Sequence, residues 1–232
     1  LFMQWFQHDA SRVEQYYSRL FYPLFAYLPK VLFAWIPFSF GDLFYGIFVL
    51  CAVLFSFRLL RLLFRGHRAG AWLQGLRLGS LLLGGYLYFY MSWGLNYYRV
   101  PLSMQLELQV DSLSEEQHLK VLDAYIAKAN TLRQQIDVSS LSRKPVSEDM
   151  EQLMRKDDSF APMLAKTQVK VKAPISSALV SYFTVTGYFN PFTQEVQVNQ
   201  KMPLMSYPFT TVHELAHQMG IGFEDECNFI AF

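Results

Sequence analysis

Charged residues are scarce in this sequence. Asp, Glu, Lys and Arg make up 17% of the 232 residues, whereas a soluble domain usually carries about 25%. The deficit is concentrated in residues 1–100, which are rich in Phe, Leu and Tyr, while residues 101–170 have the composition of ordinary soluble protein. This asymmetry predicts a membrane region followed by a globular domain.

An excess of positive charge is also absent. The net charge is +1, so nothing favours nucleic acid as a partner. Only two cysteines occur, Cys51 in an apolar run and Cys227 beside the motif described below. We expect them to be unpaired, and they do not establish the redox compartment.

Repeats and low-complexity segments are lacking. An initiating methionine is also lacking, and Phe232 falls within a predicted helix, so we expect a fragment of a longer protein.

Two uncharged runs predict membrane-spanning helices. The run at 43–57, extended by its apolar and arginine flanks, predicts a helix at about 40–60, and the run at 78–95 predicts a second. Residues 9–30 mix charged and aromatic side chains and predict an interfacial segment. The region between the two runs carries five arginines and no acidic residue: Arg58, Arg61, Arg65, Arg68 and Arg77. The positive-inside rule places these arginines in the cytoplasm and everything after residue 95 outside.

Local patterns after the membrane region predict an α+β domain that is mainly helical. Ser114 and Gln117 form a capping-box pattern ahead of apolar residues at helical spacing, which predicts a helix at about 114–136. Residues 180–185 are β-branched and aromatic, and residues 195–199 alternate between polar and apolar. The other predicted elements are an extended stretch at 96–110, a helix at about 148–156 capped by Ser147, a weak strand at 168–171, and a hairpin formed by 180–185 and 195–199 with its turn near 187–194.

His213 and His217 are four residues apart on a helix that Pro208 is predicted to begin and Gly220 to end. Side chains at this spacing share one helix face, so both imidazoles could bind one ion. Imidazole suits Zn²⁺, which keeps an open position for water in catalytic sites. Glu214 follows the first histidine and is predicted to act as the general base toward that water. The sequence therefore carries an HExxH pattern, which indicates a zinc metallopeptidase.

A third metal ligand must come from elsewhere in the chain. In one clan of zincins the pattern continues as HExxHxxGxxH, but Phe223 stands at the place of the last histidine and cannot bind a metal. In the other large clan a glutamate follows within Glu-x-x-Ala/Ser-Asp, which residues 224–228 resemble. Glu224 is then the predicted ligand, and Asn228 takes the place of the aspartate that supports a ligand histidine.

Two residues of the same stretch are alternative ligands. Glu226 is the rival carboxylate, and Cys227 occupies the place of the small residue, where a buried packing role is the preferred interpretation.

For a peptide substrate, an edge strand formed by 182–186 or by 195–199 could bind an extended chain by main-chain pairing. Tyr188 or Tyr207 could donate a hydrogen bond to the developing oxyanion, although ordinary packing roles are favoured for both.

Four stretches of the chain resemble a bacterial family of membrane proteins that are of unknown function and carry a zincin-like motif. These stretches are residues 35–42, 93–99, 187–193 and 208–229, and the resemblance covers nearly the whole chain. It implies membrane helices followed by a zincin-like domain, and it implies no substrate. Alanine is usual in the family where Cys227 stands, a departure that leaves the acidic residues intact.

The sequence therefore predicts a membrane region at 1–99 and a zincin-like domain, truncated at its C-terminal end, at 100–232. The main hypothesis is a gluzincin-type peptidase, with zinc on His213, His217 and Glu224, that hydrolyses peptides or proteins at the outer face of a bacterial inner membrane. The alternative is an inactive or structural zinc-binding envelope protein that binds peptides or partner proteins. An accessory role in envelope assembly or transport would call for charges within the membrane, and both uncharged runs lack them. The oligomeric state is left open.

Overall fold

The computed structural model describes residues 2–108, 114–137, 141–156 and 170–232, and these form a mainly helical α+β architecture. A π-helical segment, Val13–Phe21, joins α2 to α3, and 3-10 turns occupy Gly94–Tyr98 and Leu204–Ser206. The helices are α1 (Phe2–Gln7), α2 (Ala10–Arg12), α3 (Tyr22–Ala34), α4 (Phe40–Phe64), α5 (Arg68–Ser92), α6 (Leu102–Gln105), α7 (Glu115–Gln135), α8 (Arg143–Lys156), α9 (Ser177–Tyr182), α10 (Tyr207–Gln218) and α11 (Glu224–Ala231).

Helices α4 and α5 form an antiparallel helical hairpin. Ser39 caps α4 by accepting a hydrogen bond from the Asp42 amide (3.2 Å), and His67 caps α5 by accepting one from the Gly70 amide (3.1 Å). Within the described ranges, α4 is the one helix long and apolar enough to cross a membrane, with a mean hydropathy of 2.3 over its most apolar window. No residue of that window is fully buried, although α4 packs against α5, so a bilayer around the outer face of α4 is consistent with its composition.

The second predicted span differs from the observed helix. The uncharged run was expected to form a helix through residue 95, but α5 ends at Ser92 and reaches back to Arg68. Trp93 and Leu95 are buried in the core of the domain. The backbone of Trp93 leaves the helical region, with a φ of -161°, and its indole N–H donates to the carbonyl of His217 (2.8 Å).

The sheet has three strands, β1 (Val171–Lys172), β2 (Gly187–Asn190) and β3 (Glu195–Val198), in the order β1-β3-β2. β1 pairs with β3 in parallel, with Val171 opposite Val196, and β2 pairs with β3 antiparallel, with Phe189 opposite Val196. Because β3 is central, its residues are all buried, and β2 is an edge strand of the sheet formed by the described residues.

The predicted first strand of the hairpin was wrong. Residues 180–185 do not form a strand, since most of them belong to α9 and the turn after it. The Ser176 hydroxyl accepts from the Leu179 amide (3.1 Å) and caps α9, and Thr184 has a φ of 58°, in the left-handed region that ends helices. The true hairpin is β2–β3. Its turn is organised by Asn190, whose side-chain oxygen accepts from the Phe192 amide (2.9 Å).

Other predicted elements had mixed outcomes. The capped helix at 114–136 is confirmed as α7, with the Ser114–Gln117 capping box present. The extended stretch at 96–110 was wrong over 96–108, where a 3-10 turn and α6 occur; 109 and 110 lie outside the described residues. α8 begins at Arg143, so Ser147 lies inside it and its hydroxyl contacts Glu151 (3.3 Å). Of the weak strand at 168–171, Val171 is in β1 and 168–169 lie outside the described residues.

The domain is fixed to one end of the α4–α5 hairpin. The Phe192 ring stacks on Phe44 and Tyr88, with ring centroids 5.0 and 5.5 Å away. The buried carboxylate of Glu195, on the central strand, accepts hydrogen bonds from the first amides of α4, those of Phe40 and Gly41, and pairs with Lys172. A carboxylate is favourable at a helix N-terminus because the free amides there carry partial positive charge. The start of α4 and the sheet are therefore one packed unit.

Candidate metal centre

α10 carries the histidine pair and lies over the sheet. Pro208 is in its first turn, and Gly220 ends it with a φ of +90°, so both boundary predictions are confirmed. The amide of Ile221 donates back to the Ala216 carbonyl (3.2 Å), which closes the turn. The left-handed φ favours glycine, and a Cβ at Gly220 would also lie 3.0 Å from the Tyr22 ring. This turn directs α11 back across α10 and sets Glu224 beside the histidines.

Three side chains from α10 and α11 converge. The Nε2 atom of His213 lies 3.0 Å from Oε2 of Glu224, and the Nε2 atom of His217 lies 3.4 Å from Oε1 of the same carboxylate. The three potential ligand atoms are all within 4.8 Å of one another. His213, His217 and Glu224 therefore form a cluster that could hold a metal ion.

The second nitrogen of each histidine ring is also held. Nδ1 of His217 lies 2.9 Å from the carbonyl oxygen of Ile221, and Nδ1 of His213 lies 3.0 Å from the side-chain oxygen of Asn228. An oxygen acceptor at Nδ1 fixes the proton there, so the Nε2 lone pair of the neutral ring points at the cluster. Burial lowers the pKa of His217 and favours this neutral form.

Glu214 lies at the floor of the site and is buried. Burial, and next the negative charge of Glu224, raise the pKa of Glu214 to about 8, and a hydrogen bond from the Phe189 main chain opposes the rise. β2 approaches α10 so closely here that a Cβ on Gly187 would lie 2.8 Å from Cγ of Glu214 and from Cγ2 of Thr210. The Glu214 side chain thus points from the histidine helix toward the edge strand and lines the cleft.

The rival ligands do not join the cluster. The Glu226 carboxylate turns away and accepts a hydrogen bond from the Leu102 amide (2.6 Å) at the start of α6. The Cys227 sulfur is fully buried and lies 3.3 Å from Nδ1 of His217, behind the ring rather than on its Nε2 side. Among the described residues, the carboxylate that meets both histidines is Glu224.

An open cleft of about 630 Å³ runs past the cluster. The outer edge of β2 borders it, and β2 is an edge strand among the described residues. The edge-strand prediction was wrong in both of its forms, because 182–186 is not a strand and 195–199 falls on the central strand β3. The lining of the cleft is partly aromatic, and aromatic side chains in it include those of Phe89, Trp93, Tyr97, Phe189 and Phe209.

The predicted tyrosines have other partners. The Tyr188 hydroxyl donates to Asp42 at the start of α4, although the residue lines the cleft. Tyr207 is buried in the core, where its hydroxyl accepts from the Gln200 amide nitrogen (3.2 Å). Tyr97, which sequence reasoning missed, lines the cleft and packs edge-on against Trp93 (5.0 Å between centroids). Its only sequence signal was its position within the stretch 93–99.

Comparisons with known proteins identify a family but no annotated relative. No curated protein matches this chain. No solved structure matches it either. The family described as "Protein of unknown function (DUF3810)" matches residues 17–232, nearly the whole chain. The stretches singled out in the sequence, from residue 35 to residue 229, all fall within that match. The chain therefore belongs to the DUF3810 family.

Proposed function

We propose that this protein is a zinc-dependent peptidase anchored in a bacterial inner membrane, with its cleft on the outer side. The observation that carries the proposal is the contact between His217 and Glu224. In the neutral ring of His217, which burial favours, the Ile221 carbonyl holds the proton on Nδ1, so a lone pair on Nε2 faces a carboxylate oxygen 3.4 Å away. The nitrogen lone pair and the carboxylate oxygen repel each other at this distance, whereas a cation between them would bind both.

The spacing of the cluster supports zinc. Ligand atoms about 2.0–2.1 Å from a tetrahedral Zn²⁺ lie about 3.3 Å from one another. The histidine nitrogens lie 3.0 and 3.4 Å from the two oxygens of the Glu224 carboxylate, and one ligand atom from each residue lies within 4.8 Å of the others. Two imidazoles and one carboxylate are also a ligand set of catalytic zinc sites, in which the fourth position is left to water.

The residues around the cluster support peptide hydrolysis. A bound zinc ion would supply Lewis acidity and lower the pKa of its water to about 7. A cation on the neighbouring ligands would favour the ionised form of Glu214. Glu214 then takes the proton of the attacking water and passes it to the leaving nitrogen, since it lies on the ligand helix and lines the cleft. The main chain of Phe189 faces the site, as its hydrogen bond to Glu214 indicates, and the edge of β2 can pair with an extended peptide.

The open cleft favours this function over a structural zinc site. Structural zinc is usually enclosed by four protein ligands. Here the Glu224 side chain is 75% exposed, and the part of the chain that the structure describes offers no fourth ligand within the cluster. The alternative is an inactive zinc-binding protein with the same cleft. Replacement of Glu214 distinguishes this alternative from a peptidase.

The first test measures metal and hydrolysis in the same preparations. Detergent-solubilised protein is expected to hold one zinc ion per chain by plasma mass spectrometry, and His213→Ala and Glu224→Ala are expected to lose it. Glu214→Gln should keep the zinc but cleave a mixed peptide library about 10²- to 10⁴-fold more slowly, since it removes the general base.

Two outcomes would contradict the proposal. If wild-type protein holds no zinc after growth in zinc-supplemented medium, the cluster is not a zinc site. If wild type and Glu214→Gln cleave equally, Glu214 is not the general base, and the zinc-binding alternative is left. Glu116→Gln, an exposed change on α7, is the matched control and should change neither quantity.

A further inference from the structure

An exposed apolar surface lies beside the cleft at the start of α4. It consists of Ile175, Leu179, Tyr182 and Phe183, called here the α9 patch. Leu179 and Tyr182 are three residues apart on α9, and Ile175 and Phe183 flank the two ends of the helix. Tyr182 and Phe183 are 84% and 65% exposed, and the other two side chains are more than half exposed. Four large apolar side chains together on the surface mark a contact site rather than ordinary surface variation.

The segment that carries the α9 patch has no charge. No Asp, Glu, Lys, Arg or His occurs between Lys172 and Glu195, and Lys172 itself is buried in an ion pair with Glu195. An exposed helix in water usually carries charged side chains on its outer face. By contrast, an uncharged outer face with Tyr beside aliphatic residues is typical of the membrane–water interface.

The position of the α9 patch is fixed relative to the apolar helix. The Ile175 amide donates to the Asp42 carboxylate (2.8 Å) in the first turn of α4, and the Tyr188 hydroxyl donates to the other oxygen of that carboxylate. Trp35 and Phe38, which precede α4, are also exposed at the same end. The patch is thus held beside the first turn of α4, a helix that is apolar enough to lie in a bilayer and has no buried residue in its most apolar window.

We infer that the α9 patch inserts into the boundary between headgroups and acyl chains of the leaflet at which α4 begins. The partner is the lipid bilayer itself, because the same medium must cover α4 and the side chains tied to its first turn. Residues 184–186, directly after Phe183, line one wall of the cleft. Insertion therefore sets the mouth of the cleft at the membrane surface. The inference rests on the membrane placement proposed above and not on peptide hydrolysis.

The test measures the depth of single fluorophores. Full-length protein with Cys51→Ser is reconstituted in phosphatidylethanolamine–phosphatidylglycerol vesicles, and Cys227 is buried and so is not labelled. An NBD label is attached at Tyr182→Cys or Phe183→Cys, with Leu50→Cys in the middle of α4 and Lys144→Cys on α8 as references. Quenching by lipids with a shallow (5-doxyl) or deep (12-doxyl) spin label, and by aqueous iodide, is then compared.

The expected pattern orders the four positions by depth. Labels at 182 and 183 should be quenched at least two-fold more by the shallow lipid than by the deep one, and little by iodide. The label at Leu50 should respond most to the deep lipid, and the label at Lys144 to iodide alone. Iodide quenching of 182 and 183 together with deep-lipid quenching of Leu50 overturns this inference only. Iodide quenching of Leu50 as well overturns the proposed membrane placement.

Discussion

His217 shows how a backbone turn determines the chemistry of a side chain. The left-handed Gly220 reverses the chain so that the carbonyl of Ile221 meets Nδ1 of the ring four residues earlier. His213 receives the equivalent contact from Asn228, one helix later. The Ile221 carbonyl and the Asn228 side chain therefore orient the two imidazole rings. Each contact occupies Nδ1 and leaves only Nε2 free to bind a metal.

Replacement of Asn228 tests this orienting role. Asn228→Ala removes the acceptor at Nδ1 of His213 and is expected to weaken zinc affinity by about 10- to 100-fold, the usual effect of losing such a contact. Asn228→Asp keeps an oxygen acceptor and should restore most of the affinity. The measurement is competition with a zinc chelator at pH 7. Equal affinity in Asn228→Ala and wild type would show that the contact does not orient His213.

At the scale of elements, a buried ion pair holds the turn between α10 and α11. The Arg99 guanidinium makes two hydrogen bonds of 2.8 Å to the Glu14 carboxylate and one of 2.8 Å to the Gly220 carbonyl. The N-terminal helices are thereby linked to the turn that positions Glu224. Burial by itself would raise the pKa of Glu14, but Arg99, assisted by Arg19, lowers it below the ordinary value of 4.5.

We expect Glu14→Gln to destabilise the fold by about 3–5 kcal/mol at pH 7, because Arg99 then remains buried without its counter-charge. The folded pKa of Glu14 is lowered, so its stabilisation is complete above about pH 4.5 and is lost as the pH falls through the folded pKa. The difference in thermal midpoint between variant and wild type should therefore be large at pH 7 and shrink below pH 4.

Glu116→Gln supplies the control for this comparison. Glu116 pairs with Lys120 on the exposed face of α7, and exposed pairs contribute less than about 1 kcal/mol. A loss of stability in Glu14→Gln no larger than in Glu116→Gln would show that the buried pair is not needed to hold the turn.

The sequence predicted those parts of the site that depend on local spacing. His213 and His217 are one helical turn apart, and Glu224 was chosen because residues 224–228 resemble the pattern Glu-x-x-Ala/Ser-Asp. Propensity failed at 180–185, where β-branched residues form α9 because Ser176 caps the helix and Thr184 ends it. Contacts between distant segments, such as Trp93 to His217, have no local signal and could not be predicted.

At the scale of the whole molecule, the candidate site and the arginine-rich turn lie at opposite ends of α4. The helix has 25 residues, which at 1.5 Å per residue is about 38 Å, enough to cross a hydrocarbon core of about 30 Å. Asp42, at one end, contacts Ile175 and Tyr188 of the domain. Arg65, at the other end, is exposed, with Arg58, Arg61 and Arg68 nearby in the sequence.

This arrangement predicts which residues are accessible from each side of the membrane. If arginines stay in the cytoplasm, a membrane-impermeant maleimide should label Lys144→Cys, on α8 of the domain, in spheroplasts. It should label Arg65→Cys only after the membrane is lysed. Both variants carry Cys51→Ser, and labelling is measured by gel shift. The reverse pattern would place the cleft in the cytoplasm, and labelling of both positions in intact spheroplasts would mean that α4 does not separate them across a membrane.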